Sequence, residues 1–377
     1  LQRSKPTIRD AIKVLPAVTH SAGQYRTRTE RKTEENNVYI KLSSKFLLAA
    51  LVVTLGVSAS HAQKLTGAGA TFPNPIYSKW FSEFSASHPG VEINYQSVGS
   101  GAGIRQVSQL TVDFGATDGP MTDQQISESK VKLVHIPTVL GAVVPIYNLP
   151  GVSGSLKFAP DVIADIYLGK ITKWNDPRIV KDNPGVKLPD HQLLPVYRSD
   201  GSGTTYIFTD FLSKVSPDFA SKVGKNTSVR WPLGIGQKGS EGVAGMVRNS
   251  PFSFGYVELI YAMQNKMEFG VVRNPAGKWV PATVASVTAA AAGAAKSMPA
   301  DYRVSITNAP GPDAYPIASF TWLLIPIQSA DPAKGKVLNE FLTWMLDHGQ
   351  AEAPGLDYAP LPKNVVAMER KTIAQIH

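Results

Sequence analysis

Three glycine-rich turns, each placed where a strand pattern gives way to a helix pattern, constrain this chain more than any other feature. Gly67-Ala-Gly-Ala-Thr-Phe72 precedes a helical pattern running from Pro75 to Ser87, with Ile76, Trp80, Phe81 and Phe84 at helical spacing. Gly99-Ser-Gly-Ala-Gly103 follows the alternating Val91-Glu-Ile-Asn-Tyr95 and leads into a helix over Ile104–Leu110. Arg198-Ser-Asp-Gly-Ser-Gly-Thr204 leads into a helix over Thr204–Leu212. The first turn of a helix presents unpaired backbone N–H groups and the positive end of the helix dipole. Glycine lets a ligand approach that backbone, while Ser and Thr hydroxyls cap the helix or donate to the ligand. Each turn is therefore a candidate anion site. One alone would read as an ordinary capped loop; three in one chain, with charges beside them, point to an anion. Arg198 and Asp200 lie two apart at a strand end and so face the same side. Arginine's planar fork suits bidentate contact with a tetrahedral oxyanion, although such a pair is also a common surface ion pair.

The remaining patterns keep the same rhythm. Val112–Ala116 reads as a short strand ending at the turn Thr117-Asp118-Gly119-Pro120. Lys132–Tyr147 reads as a long strand broken by Pro137 and Gly141, a crossover between domains. Gly335–His348 is helical, with Val337, Leu338, Phe341, Leu342 and Met345 on one face, and the alanine-rich Ala282–Lys296 is helical by propensity and carries no chemistry. Alternating strands and helices predict α/β architecture with largely parallel sheets. A length of 377 residues suits two domains.

Composition removes several function classes. With no Cys there is no disulfide, thiolate metal site or Cys nucleophile. Of the formal charge of +9, residues 1–40 contribute four and Lys41 and Lys45 two, so only +3 falls on the remaining 315 residues, no footprint for nucleic acid. His88, His135, His191, His348 and His377 are scattered without metal-ligand spacing, so no metal site or cofactor is expected. Gly234-Ile-Gly-Gln-Lys-Gly239 fits a dinucleotide fingerprint, but Trp231-Pro232-Leu233 before it is not a strand, and the segment reads as a loop.

Lys41–Lys45, the apolar run Phe46–Val57 and the small-residue exit Ser58-Ala-Ser-His-Ala62 describe a secretory signal peptide over 41–62, cleaved after Ala62. No Cys follows to carry a lipid. A soluble periplasmic product starting at Gln63 is expected. Residues 1–40, which begin with Leu, are read as an over-extended start and set outside the fold.

Four segments occur together and in order: Leu65-Thr-Gly-Ala-Gly-Ala-Thr-Phe-Pro-Asn-Pro75, Tyr95-Gln-Ser-Val-Gly-Ser100, Val112-Asp-Phe-Gly-Ala-Thr-Asp118 and Arg198-Ser-Asp-Gly-Ser-Gly-Thr204. With Asp165-Ile-Tyr-Leu-Gly-Lys-Ile171, Trp174, Trp231-Pro-Leu-Gly, Gly255-Tyr-Val-Glu258 and Leu356-Asp-Tyr-Ala359, the chain over 64–365 resembles the periplasmic phosphate-binding proteins of high-affinity phosphate ABC transporters. The resemblance implies a two-lobed, type II clamshell with phosphate in the cleft. Lobe 1 would comprise 63–142 and 312–377, and lobe 2 would comprise 143–311. It implies ligand contacts from Thr71 and Phe72 (the latter by its backbone N–H), from Ser100, and from Arg198, Ser202, Gly203 and Thr204, with Asp118 as acceptor and Asp200 pairing with the arginine. It also implies a monomeric receptor that hands phosphate to a membrane permease by hinge closure, without catalysis. The departures are mild: the second turn reads Gly-Ser-Gly-Ala-Gly, and Tyr197 and Ser199 flank Arg198.

Asp118 needs a reason, because a carboxylate beside a bound anion is repulsive where water is excluded. It becomes favourable only if the ligand supplies a proton to accept. Phosphate carries one at neutral pH and sulfate does not, so an ionised Asp118 selects by penalty. Asp also commonly caps a turn such as Gly119-Pro120. Two other readings remain: a sulfate- or molybdate-type receptor, for which helix N-termini alone would serve, and a secreted phosphate-handling hydrolase, which would need a nucleophile with a base or a metal cluster.

Overall fold

The computed structural model describes residues 63–377; the signal-peptide expectation and the segment 1–40 lie outside the described residues. In chain order the strands are β1 (Gln63–Gly69), β2 (Val91–Ser97), β3 (Phe114–Thr117), β4 (Leu133–Tyr147), β5 (Lys157–Phe158), β6 (Leu194–Arg198), β7 (Ile235–Gln237), β8 (Ser253–Glu258), β9 (Val271–Arg273), β10 (Trp279–Val280) and β11 (Ala318–Pro326). Eight of them form one sheet in the order β2-β1-β3-β11-β4-β8-β6-β7, and β10-β9-β5 form a smaller one.

The α/β class holds, and the expectation of largely parallel sheets is corrected at the centre. The flanks, β1 with β2 and β3 and β6 with β7 and β8, are parallel, but β3/β11, β11/β4 and β4/β8 are antiparallel. β4 and β11 are buried along almost their whole length. Strands covered on both faces read as continuous apolar runs whichever way they pair, so periodicity carries no sign of direction. β4 runs as one strand and is not broken: it pairs with β11 up to Ala142 and with β8 from Val143 onward. Pro137 is absorbed by a bulge, since Trp322 opposes Pro137 and Thr321 opposes Val139, leaving Thr138 as the extra residue. Thr138 is then free to bond the Tyr77 hydroxyl at 2.8 Å and the Thr321 carbonyl at 3.2 Å.

The helix Asn74–Ser87 has Pro75 in its first turn and buries Ile76, Tyr77, Trp80, Phe81 and Phe84. The second predicted helix starts earlier than Ile104: it covers Ser100–Ser108, so the glycines form its first turns. The reason is packing, because a Cβ on Gly103 would lie 2.5 Å from the Gly69 Cα. The third covers Gly203–Val215, and the helix Pro332–Asp347 begins three residues before Gly335, capped by Asp331. The alanine-rich helix Val284–Lys296 packs on β4 and β11 behind a Thr283/Ser286 capping box. Beyond it, Tyr302 accepts from Trp322 Nε1 at 3.0 Å and Arg303 donates to the Met121 carbonyl, whereas Ser305 and Thr307 donate to Asp210 on the Gly203–Val215 helix.

The helix Lys363–Ile373 carries Glu369, fully buried, with no hydrogen-bond partner for either oxygen among the described residues. Burial pushes its carboxyl well above the ordinary range. A raised folded-state pKa means that folding holds a proton the unfolded chain releases, so this group's contribution falls as pH rises above its unfolded value of 4.5. Glu369→Gln should abolish that slope. In thermal or urea unfolding, the stability difference should move in the variant's favour as pH rises above 4.5. Parallel pH profiles would show that Glu369 is ionised in the folded protein.

Candidate functional site

Five strands deliver their C-terminal ends to one place, the position where open α/β sheets bind ligands. β1 leads into Thr71 and Phe72, β2 into Ser100, β3 into Asp118, β6 into Arg198 and β7 into Ser240. Helices begin immediately afterwards at Asn74, Ser100, Gly203 and Gly239. Their dipoles and first N–H groups make the shared region electropositive before any side chain is counted.

Arg198 lies at the centre of one cluster and is almost fully buried. Its Nε and Nη2 donate to Asp200 Oδ1 and Oδ2 at 2.8 and 2.5 Å, and its Nη1 donates to Thr71 Oγ1 at 3.0 Å and Ser240 Oγ at 3.3 Å. The Thr71 and Ser240 hydroxyls are 2.8 Å apart. Asp200 Oδ1 also accepts from the Gly239 N–H at 3.0 Å. Burial pushes the Asp200 carboxyl up, and the guanidinium more than offsets this, holding it below the usual carboxylate range.

Asp118 anchors the other cluster. Its backbone N–H donates to Ser100 Oγ at 3.2 Å, and the Gly203 N–H donates to the same oxygen at 3.0 Å, which leaves the Ser100 hydroxyl hydrogen available to donate. Thr321 Oγ1 donates to Asp118 Oδ1 at 2.8 Å. Oδ2 is buried and has no partner among the described residues, and neither has Thr204 Oγ1. A Cβ on Gly203 would stand 2.5 Å from that Oδ2 and 2.4 Å from Ser100 Oγ, so only glycine lets the third turn approach this closely. Ser202 caps its helix by accepting from the Thr205 N–H at 3.1 Å. Burial lifts the Asp118 carboxyl to about 7, against the Thr321 hydrogen bond, the Arg198 charge and the Ser100 hydrogen bond. The selecting role expected from the sequence needs an ionised Asp118; in this site full ionisation is reached only above neutrality.

All nine residues expected from the sequence thus fall in one neighbourhood. Phe72 brings its backbone: its ring is core, 6.2 Å from the ring of Tyr358. Two site residues escape the sequence reading, Ser240 and Thr321. The loop expected at Gly234–Gly239 is corrected, because Ile235–Gln237 is β7, made a strand by parallel pairing with β6, and it feeds the helix Gly239–Asn249. That glycine run was the available signal for Ser240. Thr321 is, with Ser319, one of two hydroxyl residues in an otherwise apolar strand and leaves none.

Residues 56–348 match the PBP superfamily domain. The chain is 46% identical over 304 residues to the phosphate-binding protein PstS of Xylella fastidiosa (strain Temecula1), covering 80% of this chain and 83% of the relative. It is 43% identical to the PstS of Haemophilus influenzae, covering 84% of this chain and 94% of the relative. Among solved structures it is similar to a high affinity periplasmic phosphate-binding protein (PfluDING) bound with phosphate, at TM-score 0.66 and 21% identity over 82% of this chain and 93% of that one. It is also similar to a phosphate-binding protein from Stenotrophomonas maltophilia, at TM-score 0.63 and 21% identity, with 82% and 93% covered.

Proposed function

The chain belongs to the PstS phosphate-binding proteins of the PBP superfamily, and on that premise we propose that it captures one inorganic phosphate and delivers it to the membrane permease of a phosphate ABC importer. The observation that carries this reading is a pair of orphaned buried atoms, Asp118 Oδ2 and Thr204 Oγ1, in a site otherwise made of donors. An unpaired buried carboxylate oxygen beside an anion site is costly unless the ligand brings a proton to it. Phosphate does so. Sulfate does not, which is why the sulfate-type receptor is the weaker reading.

In this reading Arg198 contributes the positive charge, with Asp200 fixing its plane. The Phe72, Gly203 and Thr204 N–H groups and the Thr71, Ser100, Ser202 and Thr204 hydroxyls donate, and Asp118 accepts. Ser240 joins this set, sharing Arg198 Nη1 with Thr71. Lobe 1 is 63–142 with 312–377, and lobe 2 is drawn from 143–311, less the part of 283–311 that packs back on lobe 1. The first passage between them is the partner change of β4 at Ala142/Val143, and the second spreads over 283–311, since the Val284–Lys296 helix and Tyr302–Arg303 sit on first-lobe elements. Closure brings donors of both lobes together and removes water, which strengthens each charge-assisted bond. The protein acts by binding rather than catalysis, as a periplasmic monomer; among the described residues no helix is long and apolar enough to cross a membrane.

Calorimetric titration of the purified protein, stripped of ligand by partial unfolding, should give one phosphate per chain and far weaker sulfate binding at pH 8. Heat from sulfate but none from phosphate would reverse the assignment.

A further inference from the structure

Three consecutive carbonyls of the first turn are each held by a tyrosine hydroxyl from a different part of the chain. Tyr95 on β2 donates to the Ala70 carbonyl at 2.7 Å, Tyr261 on the helix Leu259–Gln264 donates to that of Thr71 at 2.6 Å, and Tyr358 donates to that of Phe72 at 2.6 Å. Nothing in the roles assigned above uses these phenols. From this geometry we infer that Tyr95, Tyr261 and Tyr358 are positioning residues that aim the backbone N–H groups of Thr71 and Phe72 at the anion, and that Tyr261 makes this aim depend on closure. The inference rests on the phosphate-receptor reading and adds residues to its site.

In a trans peptide the C=O of one residue and the N–H of the next point in opposite directions. Fixing the Ala70 and Thr71 carbonyls therefore fixes the Thr71 and Phe72 N–H groups on the far side. The Phe72 carbonyl is followed by Pro73, which has no N–H, so the third hydroxyl secures the entry into the Asn74–Ser87 helix instead. The turn has no strand ladder to hold its peptide planes: the Asn74 N–H also donates to the Thr71 carbonyl at 3.1 Å, and the phenols supply the rest. An anion site gains from donors that need no reorganisation when the ligand arrives. All three hydroxyls are pushed above the ordinary phenol range by burial, which keeps them donors across the working pH.

The three are not equivalent. Tyr95 and Tyr358 come from the same lobe as the turn they hold. Tyr261 comes from the helix that follows β8, and its hydroxyl also lies 3.2 Å from Glu241 Oε1, the residue after Ser240. It therefore stands between the first turn and the Gly239–Asn249 helix, and can reach the Thr71 carbonyl only while the halves carried by β1 and β8 are together. Closing the lobes and setting the Phe72 N–H become one event.

Tyr95→Phe, Tyr261→Phe and Tyr358→Phe each delete one oxygen, and Tyr302→Phe, whose hydroxyl bonds the distant Thr372, is the control. Two readouts separate the claims. Amide hydrogen exchange at Thr71 and Phe72 in ligand-free protein reads positioning directly, and inorganic phosphate titration with stopped-flow release reads its consequence. Tyr95→Phe should exchange the Thr71 amide faster and Tyr261→Phe the Phe72 amide, and Tyr358→Phe should loosen the entry into the Asn74–Ser87 helix. Each should bind phosphate about three- to tenfold more weakly, the value of one hydrogen bond, while the control does none of these. Tyr261→Phe alone should place its loss mainly in a faster release rate. The inference is overturned if Tyr95→Phe keeps wild-type exchange at Thr71 and Tyr261→Phe keeps it at Phe72, or if Tyr302→Phe weakens binding equally. Wild-type protein that ignores phosphate would remove the receptor reading, and the exchange data would still decide the positioning claim.

Discussion

Replacing Asp118 with Asn is expected to lower the preference for phosphate over sulfate by about 10- to 100-fold at pH 8, with a smaller loss of phosphate affinity itself. The asymmetry follows from what each ligand offers the free Oδ2. An ionised oxygen accepts phosphate's proton, but meets sulfate with unpaired like charge in a dry site, whereas an amide turned the right way can donate to either. Sulfate gives the cleaner titration because it has no proton of its own to lose near neutrality. Burial lifts Asp118 to about 7, opposed by Thr321, Arg198 and Ser100. Of the other groups whose charge reaches it, Glu258 is itself driven well above the carboxylate range by burial and the phenols of Tyr77, Tyr95 and Tyr358 are driven up, while Arg198 is the positive charge that acts on it. Wild-type sulfate affinity should therefore fall as pH rises through about 7, as the carboxyl ionises. The Asn variant should show a flat sulfate profile. In the ligand-free protein the same raised pKa makes this group's stability contribution decline from its unfolded value of 3.8 up through about 7, and the variant should lose that slope as well. Two flat sulfate profiles would remove Asp118 from the selecting role.

The local parts of this site are written where a reader of sequence can find them. Helix starts depend on residues within a turn of one another, so Ser202 before Gly203 and the Thr71-Phe72-Pro73 entry are legible without any tertiary knowledge. What cannot be read is long-range. Thr321 meets Asp118 across 203 residues, and β7 becomes a strand only because β6 lies beside it. The three tyrosines look like core aromatics when taken singly, since a phenol's polar end declares its purpose only when its acceptor is known. Direction in the central sheet is lost for a similar reason: β4 and β11 are apolar on both faces, and the pattern that marks a half-exposed strand is absent. Chemistry brings Asp118 forward as a candidate acceptor, but its charge state depends on a depth of burial that no spacing records.

Arg198→Met should have the largest effect of all, lowering phosphate affinity by about 100- to 1,000-fold or more, because it removes the guanidinium charge of the site and leaves Asp200 without its ion-pair partner. Breaking a buried ion pair from one side costs about 3–5 kcal/mol, so the single variant should also be less stable. Those two losses have different origins and can be separated. Asp200→Asn added to Arg198→Met removes the stranded carboxylate; it should restore much of the thermal stability while leaving phosphate binding absent. Arg198→Lys tests the fork rather than the charge. One ammonium cannot span both Asp200 oxygens together with Thr71 Oγ1 and Ser240 Oγ, contacts that three different guanidinium nitrogens now make. Lysine should therefore keep the fold and some charge attraction, with affinity between wild type and Met. Affinity that returns in the double variant along with stability would mean that Arg198 only holds the site's shape, and the anion would then be held by the helix starts and hydroxyls alone.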